Sequence, residues 1–205
     1  MDATLIKNFL NTTAKVMMEE KDHLIEADSI VGDGDLGLTM SDGFTAASDA
    51  IKENPIQDCG KLLYTAGKAM STAVPSTMGT LMASGLMSAG KTLKGKTELT
   101  REDILSLFDA FLSGVIHLGK AKQGEKTFID GFAPGCDALH ATADVQLKES
   151  AKAAADASMK GYLGTKGMLA IHGRAATRGE ASRALLDPGA YVGALLFKGF
   201  YLSLE

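Results

Sequence analysis

Cysteine is almost missing from this chain. Cys59 and Cys136 are the only two in 205 residues and stand far apart, so the sequence encodes neither a disulfide framework nor a close-spaced zinc site. Both are expected as reduced thiols in a cytoplasmic protein. Runs of one charge are missing too: 21 lysines and arginines are scattered among 25 aspartates and glutamates, for a net charge of −4. That pattern leaves out the basic footprint of a nucleic-acid binder. No apolar run approaches the length of a membrane span. The opening stretch MDATLIKNFLNTTAKVMMEEKD mixes polar residues in where a signal peptide needs an unbroken apolar centre. Neither nucleic acid nor a membrane is therefore expected as a partner. Catalytic signatures are sparse as well. There is no P-loop pattern G-x-x-x-x-G-K-[ST], no dinucleotide fingerprint after a strand and no nucleophile elbow G-x-S-x-G. The four histidines, His23, His117, His140 and His172, have no metal-ligand or triad spacing and read as surface or core residues.

Strand signals are the last absence, since no period-two alternation is convincing anywhere. What remains is helical. With 45% hydrophobic and 22% charged residues the composition is that of an ordinary globular protein, and the length suits one domain over 1–205. Leu5, Phe9, Val16 and Met17 share one face of an amphipathic helix that should end before Asp28. A second helix is expected from about Leu38 into DAIKEN, and Pro55 should open a third through IQDCGKLLYTAGKAMSTA. After Pro75, small and apolar residues recur at helical spacing. In LTREDILSLFDAFLSGVIHLGKA, Thr100 is a candidate N-cap and Ile104, Leu107, Phe108, Phe111 and Leu112 form the buried stripe. The alanine-rich DALHATADVQLKESAKAAADASMKGYL reads as helix, and Pro188 stands where it can open a terminal one. The fold class is all-α, with roughly six to nine helices. Glycine, at 23 residues, clusters in VGDGDLG, LGKAKQGEKT, KGYLGTKG and HGRAATRGE, which read as shaped loops between helices.

Three aspartates, Asp28, Asp33 and Asp35, stand within eight positions in ADSIVGDGDLGLTM. Gly32 and Gly34 permit a turn that would aim the three carboxylates at one point. Converging carboxylates repel unless cations sit among them, and hard oxygen donors suit Mg²⁺, Mn²⁺ or Ca²⁺. An EF-hand fails on spacing, because the twelfth loop position counted from Asp33 is Phe44 rather than Glu. Magnesium usually leaves part of its octahedron to water and substrate phosphates, so the cluster points to phosphate handling. A polar turn capping the next helix would use the same residue types. Ser76 or Thr77 could cap the helix after VPSTMGTLMASG, whose free N–H groups favour an anion. Arg174, Arg178 and Arg183 lie among glycines and alanines in HGRAATRGEASRALLDPGA, a setting suited to a polyphosphate or to a solvated helix end.

Taken in order, ADSIVGDGDLG, STMG, GKAKQGEKTFID and GRAATRGEAS…LDPGA resemble the nucleotide-binding L subunit of dihydroxyacetone kinase and the equivalent domain of related kinases, over nearly the whole chain. The resemblance implies an all-α barrel of about eight antiparallel helices with ADP or ATP and two Mg²⁺ ions at one end. It implies Asp28, Asp33 and Asp35 as metal ligands, and Leu36, Gly37, Leu38 and Thr39, with Thr77 and Met78, around the phosphates. Gly119 and Phe128 would lie at the adenine side, while Arg174 and the Asp187-Pro188-Gly189 turn would close over the nucleotide. No residue is needed as a covalent nucleophile. The implied partner is a separate K subunit that binds the ketose, and a homodimer is compatible with the pattern. The phosphate comes either from exchanging ATP or from a phosphohistidine M subunit of the sugar phosphotransferase system that recharges bound ADP; a lone L subunit resembles the second arrangement more. Leu36 replaces the usual His after GDGD, and PSTMGT replaces the usual GG-S/A-S-GP loop, so that Met78 stands in place of a serine. The acceptor therefore stays open between dihydroxyacetone and another short ketose such as a tetrulose. A nucleotide-binding regulatory module without transfer activity is the alternative.

Overall fold

The structure is a computed structural model that describes residues 1–204. The described residues form nine α-helices: α1 (Ala3–Glu19), α2 (Lys21–Val31), α3 (Leu36–Lys52), α4 (Cys59–Ala73), α5 (Thr77–Thr92), α6 (Arg101–Gly119), α7 (Phe128–Ala141), α8 (Leu147–Leu163) and α9 (Pro188–Leu202). A 3₁₀ segment, Arg174–Ala184, lies between the last two and is interrupted at Gly179. Among the described residues there is no strand, only an isolated bridge between Asp2 and Glu98. The all-α expectation holds.

Eight of the helices close a ring. α1 packs on α3, each helix from α3 onward packs on the next through α9, and α9 returns to α1. Neighbours run antiparallel. Lys7 at the start of α1 donates to the Asn54 carbonyl beyond the end of α3, and Ser84 on α5 donates to Gly114 near the end of α6. α2 stands outside the ring, packed mainly on α3.

The core follows from the sequence pattern. In α6 Ile104, Leu107, Phe108 and Phe111 are buried and Leu112 is half-buried. Phe108 stacks on Phe197 with centroids 4.8 Å apart, and Phe111 stacks on Phe132 at 5.2 Å. α9 is apolar apart from Lys198 and is almost wholly buried from Pro188 through Phe200, as a helix largely enclosed by its neighbours must be. It approaches α7 so closely that a Cβ on Gly131 would overlap the Ala190 carbonyl.

Several boundaries differ from those expected, and α7 begins at Phe128, inside a stretch that reads as a loop. The first segment is two helices, broken at Glu20 (φ −91°, ψ 5°). The Glu20 carboxylate there accepts hydrogen bonds from Tyr191 Oη at 2.8 Å and Lys198 Nζ at 2.9 Å. The polar run around it carries no breaker, so only these distant partners mark the bend. Pro55 does not open a helix; the Asp58 side chain accepts from Lys61 N at 3.0 Å and starts α4 at Cys59. The alanine-rich stretch is also split, because α7 stops at Ala141 and α8 begins at Leu147.

Candidate functional site

α2 runs past Asp28 to Val31 rather than ending before it, which puts Asp28 in the last helical turn. The chain then reverses through Gly34, at φ 75° in the left-handed region that glycine favours. Asp33 and Asp35 are exposed on this turn and Asp28 is half-buried. One carboxylate oxygen from each of the three lies within 4.8 Å of the others. Asp35 is the first residue ahead of α3, yet its side chain makes no capping bond, so the carboxylate is not consumed as a helix cap. Leu36 N donates to Asp28 Oδ2 at 3.3 Å and helps to orient it. Burial pushes the Asp28 carboxyl above its ordinary value, and the charges of Asp33 and Asp35 push it further. Three carboxylate oxygens gathered this closely are a fitting cradle for a hard divalent cation such as Mg²⁺. Arg174 Nη2 lies 2.5 Å from Asp33 Oδ2. Arg178 is exposed, and Arg183 is held instead by Glu180 and the Gly167 carbonyl, both at 2.7 Å. Only the first of the three arginines meets the aspartates.

The antiparallel ring turns the N-termini of α3, α5, α7 and α9 toward this same end. Gly43 on α3 packs against Met70 and Val74 at the end of α4, and Gly119 at the end of α6 packs against Leu81 near the start of α5. Gly161 near the end of α8 lies against Asp130 in the first turn of α7, and a Cβ on Gly189 would lie 3.4 Å from Phe128 N. Each N-terminus presents unsatisfied N–H groups and a positive dipole end, a ready setting for phosphate. Among the residues expected here, Leu36, Gly37 and Thr39 are buried in the first turn of α3 and Leu38 is exposed. Ser76, not Thr77, caps α5, accepting from Gly79 N at 3.0 Å. Thr77 is left exposed, and Met78 packs partly into the core. Gly119 is exposed as the last residue of α6. Phe128 opens α7, but its ring is turned inward, with centroids 5.0 Å from Phe132 and 6.2 Å from Phe111. What Phe128 can offer this end of the molecule is backbone. Asp187 caps α9 by accepting from Ala190 N at 2.7 Å, and Pro188 is buried at the first helical position. Burial pushes Asp187 up to about 7.

Two residues here were not singled out from sequence. Glu125 Oε2 pairs with His172 Nε2 at 2.6 Å, and Lys126 is a buried lysine with every donor committed to backbone. A lysine in a glycine-rich loop normally reads as solvated, and no local pattern distinguishes this one.

Comparison with known proteins agrees with the geometry. The DAK2 domain family matches residues 30–202. The ADP-binding subunit DhaL of a PEP-dependent dihydroxyacetone kinase from Listeria innocua is 33% identical over 189 residues, 92% of this chain and 90% of that protein. Its counterpart from Escherichia coli is 29% identical, covering 93% of this chain and 91% of the relative. An L-erythrulose 1-kinase from Mycolicibacterium smegmatis is 31% identical over 92% of this chain but 34% of its own length. Among solved structures, the native dihydroxyacetone kinase of C. freundii superposes with a TM-score of 0.75 at 22% identity, over 97% of this chain and 34% of that one. The same kinase in complex with AMP-PNP and Mg²⁺ gives 0.74. Helix ring, carboxylate cluster and sequence likeness converge: this chain belongs to the DAK2 domain family, alongside the DhaL subunits of dihydroxyacetone kinases.

Proposed function

We propose that this chain is the nucleotide-binding subunit of a kinase for dihydroxyacetone or a related short ketose, the ketose being held by a separate K subunit. The observation that carries the reading is the meeting of Asp28, Asp33 and Asp35 within 4.8 Å at the end of the ring toward which four helix N-termini point. Carboxylates alone would repel a polyphosphate. Carboxylates facing a cluster of positive helix ends suit a metal-bound one. The three aspartates would hold Mg²⁺, two ions by the family resemblance, which when bound draws charge from the terminal phosphates as the phosphoryl group departs. The first turns of α3 and α5, at Leu36–Thr39 and at Thr77 and Met78, would hold phosphate oxygens through backbone N–H groups. Arg174 brings a guanidinium to the same place. Gly119 and the backbone of Phe128 would border the base, and the Asp187-Pro188-Gly189 turn would close over the nucleotide, in one domain spanning 1–205. Positioning and electrostatics then carry the transfer, with no covalent nucleophile.

The names of the relatives matched over nearly their full length favour bound ADP recharged from phosphoenolpyruvate; by the family resemblance ADP would serve as a coenzyme and a phosphohistidine subunit in the cytoplasm would deliver the phosphate. Erythrulose kinases match as well, which supports a tetrulose as the alternative acceptor, with ATP as the alternative donor. The test is reconstitution with a K subunit, each ketose and each donor. Transfer is expected with wild type and a loss of at least about a hundredfold with Asp33→Ala or Asp35→Ala, circular dichroism staying unchanged. Full activity in either variant removes the metal role, and nucleotide binding without any sugar phosphate would favour a regulatory module.

A further inference from the structure

We infer that Lys126 is a positioning residue of this site, a fixed cation that holds the segment bearing Arg174 and Asp187 against the start of α7. Its Nζ donates to three backbone carbonyls, Thr165 O at 2.9 Å, Ser182 O at 2.8 Å and Leu185 O at 2.6 Å. An ammonium has three protons and all are used. The side chain is 2% exposed, and a charge is buried to that degree only when it is fully hydrogen-bonded. The backbone of Lys126 is itself left-handed, at φ 60°. Glycine would hold that conformation with less strain, so the side chain, not the backbone, is what the position needs.

The three carbonyls show what is being held. Thr165 lies just beyond the end of α8, Ser182 lies in the last turn of the 3₁₀ segment, and Leu185 follows that segment, two residues ahead of the α9 cap. The ends of this loop meet, because Asp187 N donates to Thr165 Oγ1 at 3.0 Å. Between them, the chain has little apolar anchorage of its own: Ala170 and Ala175 join Val31 in a small cluster separate from the main core. Polar ties must therefore fix it. The residue before Lys126 supplies another, the Glu125 to His172 pair at 2.6 Å. The loop that carries both is itself braced by Asp130, which accepts from Gly124 N and Thr127 N. Lys126 thus couples the turn between α6 and α7 to the segment that presents Arg174 to Asp33. Charge-assisted bonds to three carbonyls are the strong kind, and their loss frees the segment without touching the aspartates.

The consequence for nucleotide release rests on the function proposed above, while the consequence for segment mobility does not. Hydrogen exchange of the full chain without nucleotide, for wild type and Lys126→Met, is the first measurement. Protection of amides in 165–187 is expected to fall roughly tenfold or more while the ring helices keep theirs. In Mg²⁺, ADP should leave the variant roughly tenfold faster than wild type. Propylammonium, but not propanol, should restore both properties to Lys126→Ala by refilling the carbonyl cage; purification in propylammonium keeps the test available if Lys126→Met does not fold. Unchanged protection in 165–187, a loss spread evenly over all helices, or equal rescue by propanol would each overturn the inference. If wild type binds no ADP, the kinase reading fails, and the exchange data still decide the role of Lys126.

Discussion

Asp28 and Asp187 are both raised first by burial, yet their neighbours give them different work. Asp28 faces the like charges of Asp33 and Asp35, an arrangement that a cation from solution would relieve. Asp187 faces the fixed charge of Lys126, which opposes its rise, while Ala190 N donates to it and lowers it too. Asp187 stands at about 7 in the folded protein against an ordinary value of 3.8. Between those values the folded chain keeps a proton that the unfolded chain has released. Unfolding free energy should therefore fall as pH rises through this window and level off above about pH 7. Asp187→Asn keeps a cap acceptor and removes the titration. The variant should lose this fall, a difference on the order of 2–4 kcal/mol between about pH 4.5 and pH 7.5 measured by urea titration. Parallel pH dependence in the two proteins would argue that Asp187 titrates normally. At the same scale, Leu36 marks what sequence could not say: its side chain is buried and its N–H donates to Asp28, so replacing the usual histidine leaves this tie to the Asp28 carboxylate in place.

Helix starts are stabilised within one turn; the cap at Thr100 was legible in the sequence, while those at Asp58 and Thr127 were not singled out. Thr100 and Asp103 form a reciprocal capping box at α6, and Thr127 and Asp130 form another at α7. Thr100→Ala should cost about 1 kcal/mol with no effect on the distant site, read as a shift in the urea midpoint at constant slope. Contacts between elements behave differently. Gly131→Ala drives a methyl into the Ala190 carbonyl and must push α7 from α9 or fail to fold, a loss of about 2–4 kcal/mol or more. A Gly131→Ala protein as stable as wild type would mean that this crossing is looser than the structure has it. The break at Glu20 belongs with the second kind of information, since its partners Tyr191 and Lys198 are far along the chain.

At the scale of the molecule, ring closure determines that the N-termini of α3, α5, α7 and α9 share an end with the aspartates. Metal and nucleotide should therefore stabilise the fold together. Excess Mg²⁺ with ADP at about a hundred times its dissociation constant should add about 2.7 kcal/mol to unfolding. ADP with EDTA should add much less, because the phosphates would then face bare carboxylates. Thermal melts in the four combinations of ADP and metal check this, and equal shifts with and without metal would separate nucleotide binding from Asp28, Asp33 and Asp35.

By itself the sequence determined the helical class, several helix starts and the gathering of three aspartates, because helical periodicity, the Thr100 cap and the glycine-flanked DGD turn act over a few residues. The resemblance of four motifs named the remaining candidates. Only the tertiary structure decided which of them can act through side chains. Phe128 is spent in the aromatic core, and Arg174, among three arginines alike in sequence, is the one that reaches Asp33. The tertiary structure alone also set apart Lys126, whose three carbonyl partners lie 39, 56 and 59 residues away. Burial of a charge depends on what the chain brings around it from a distance, and no local pattern carries that information.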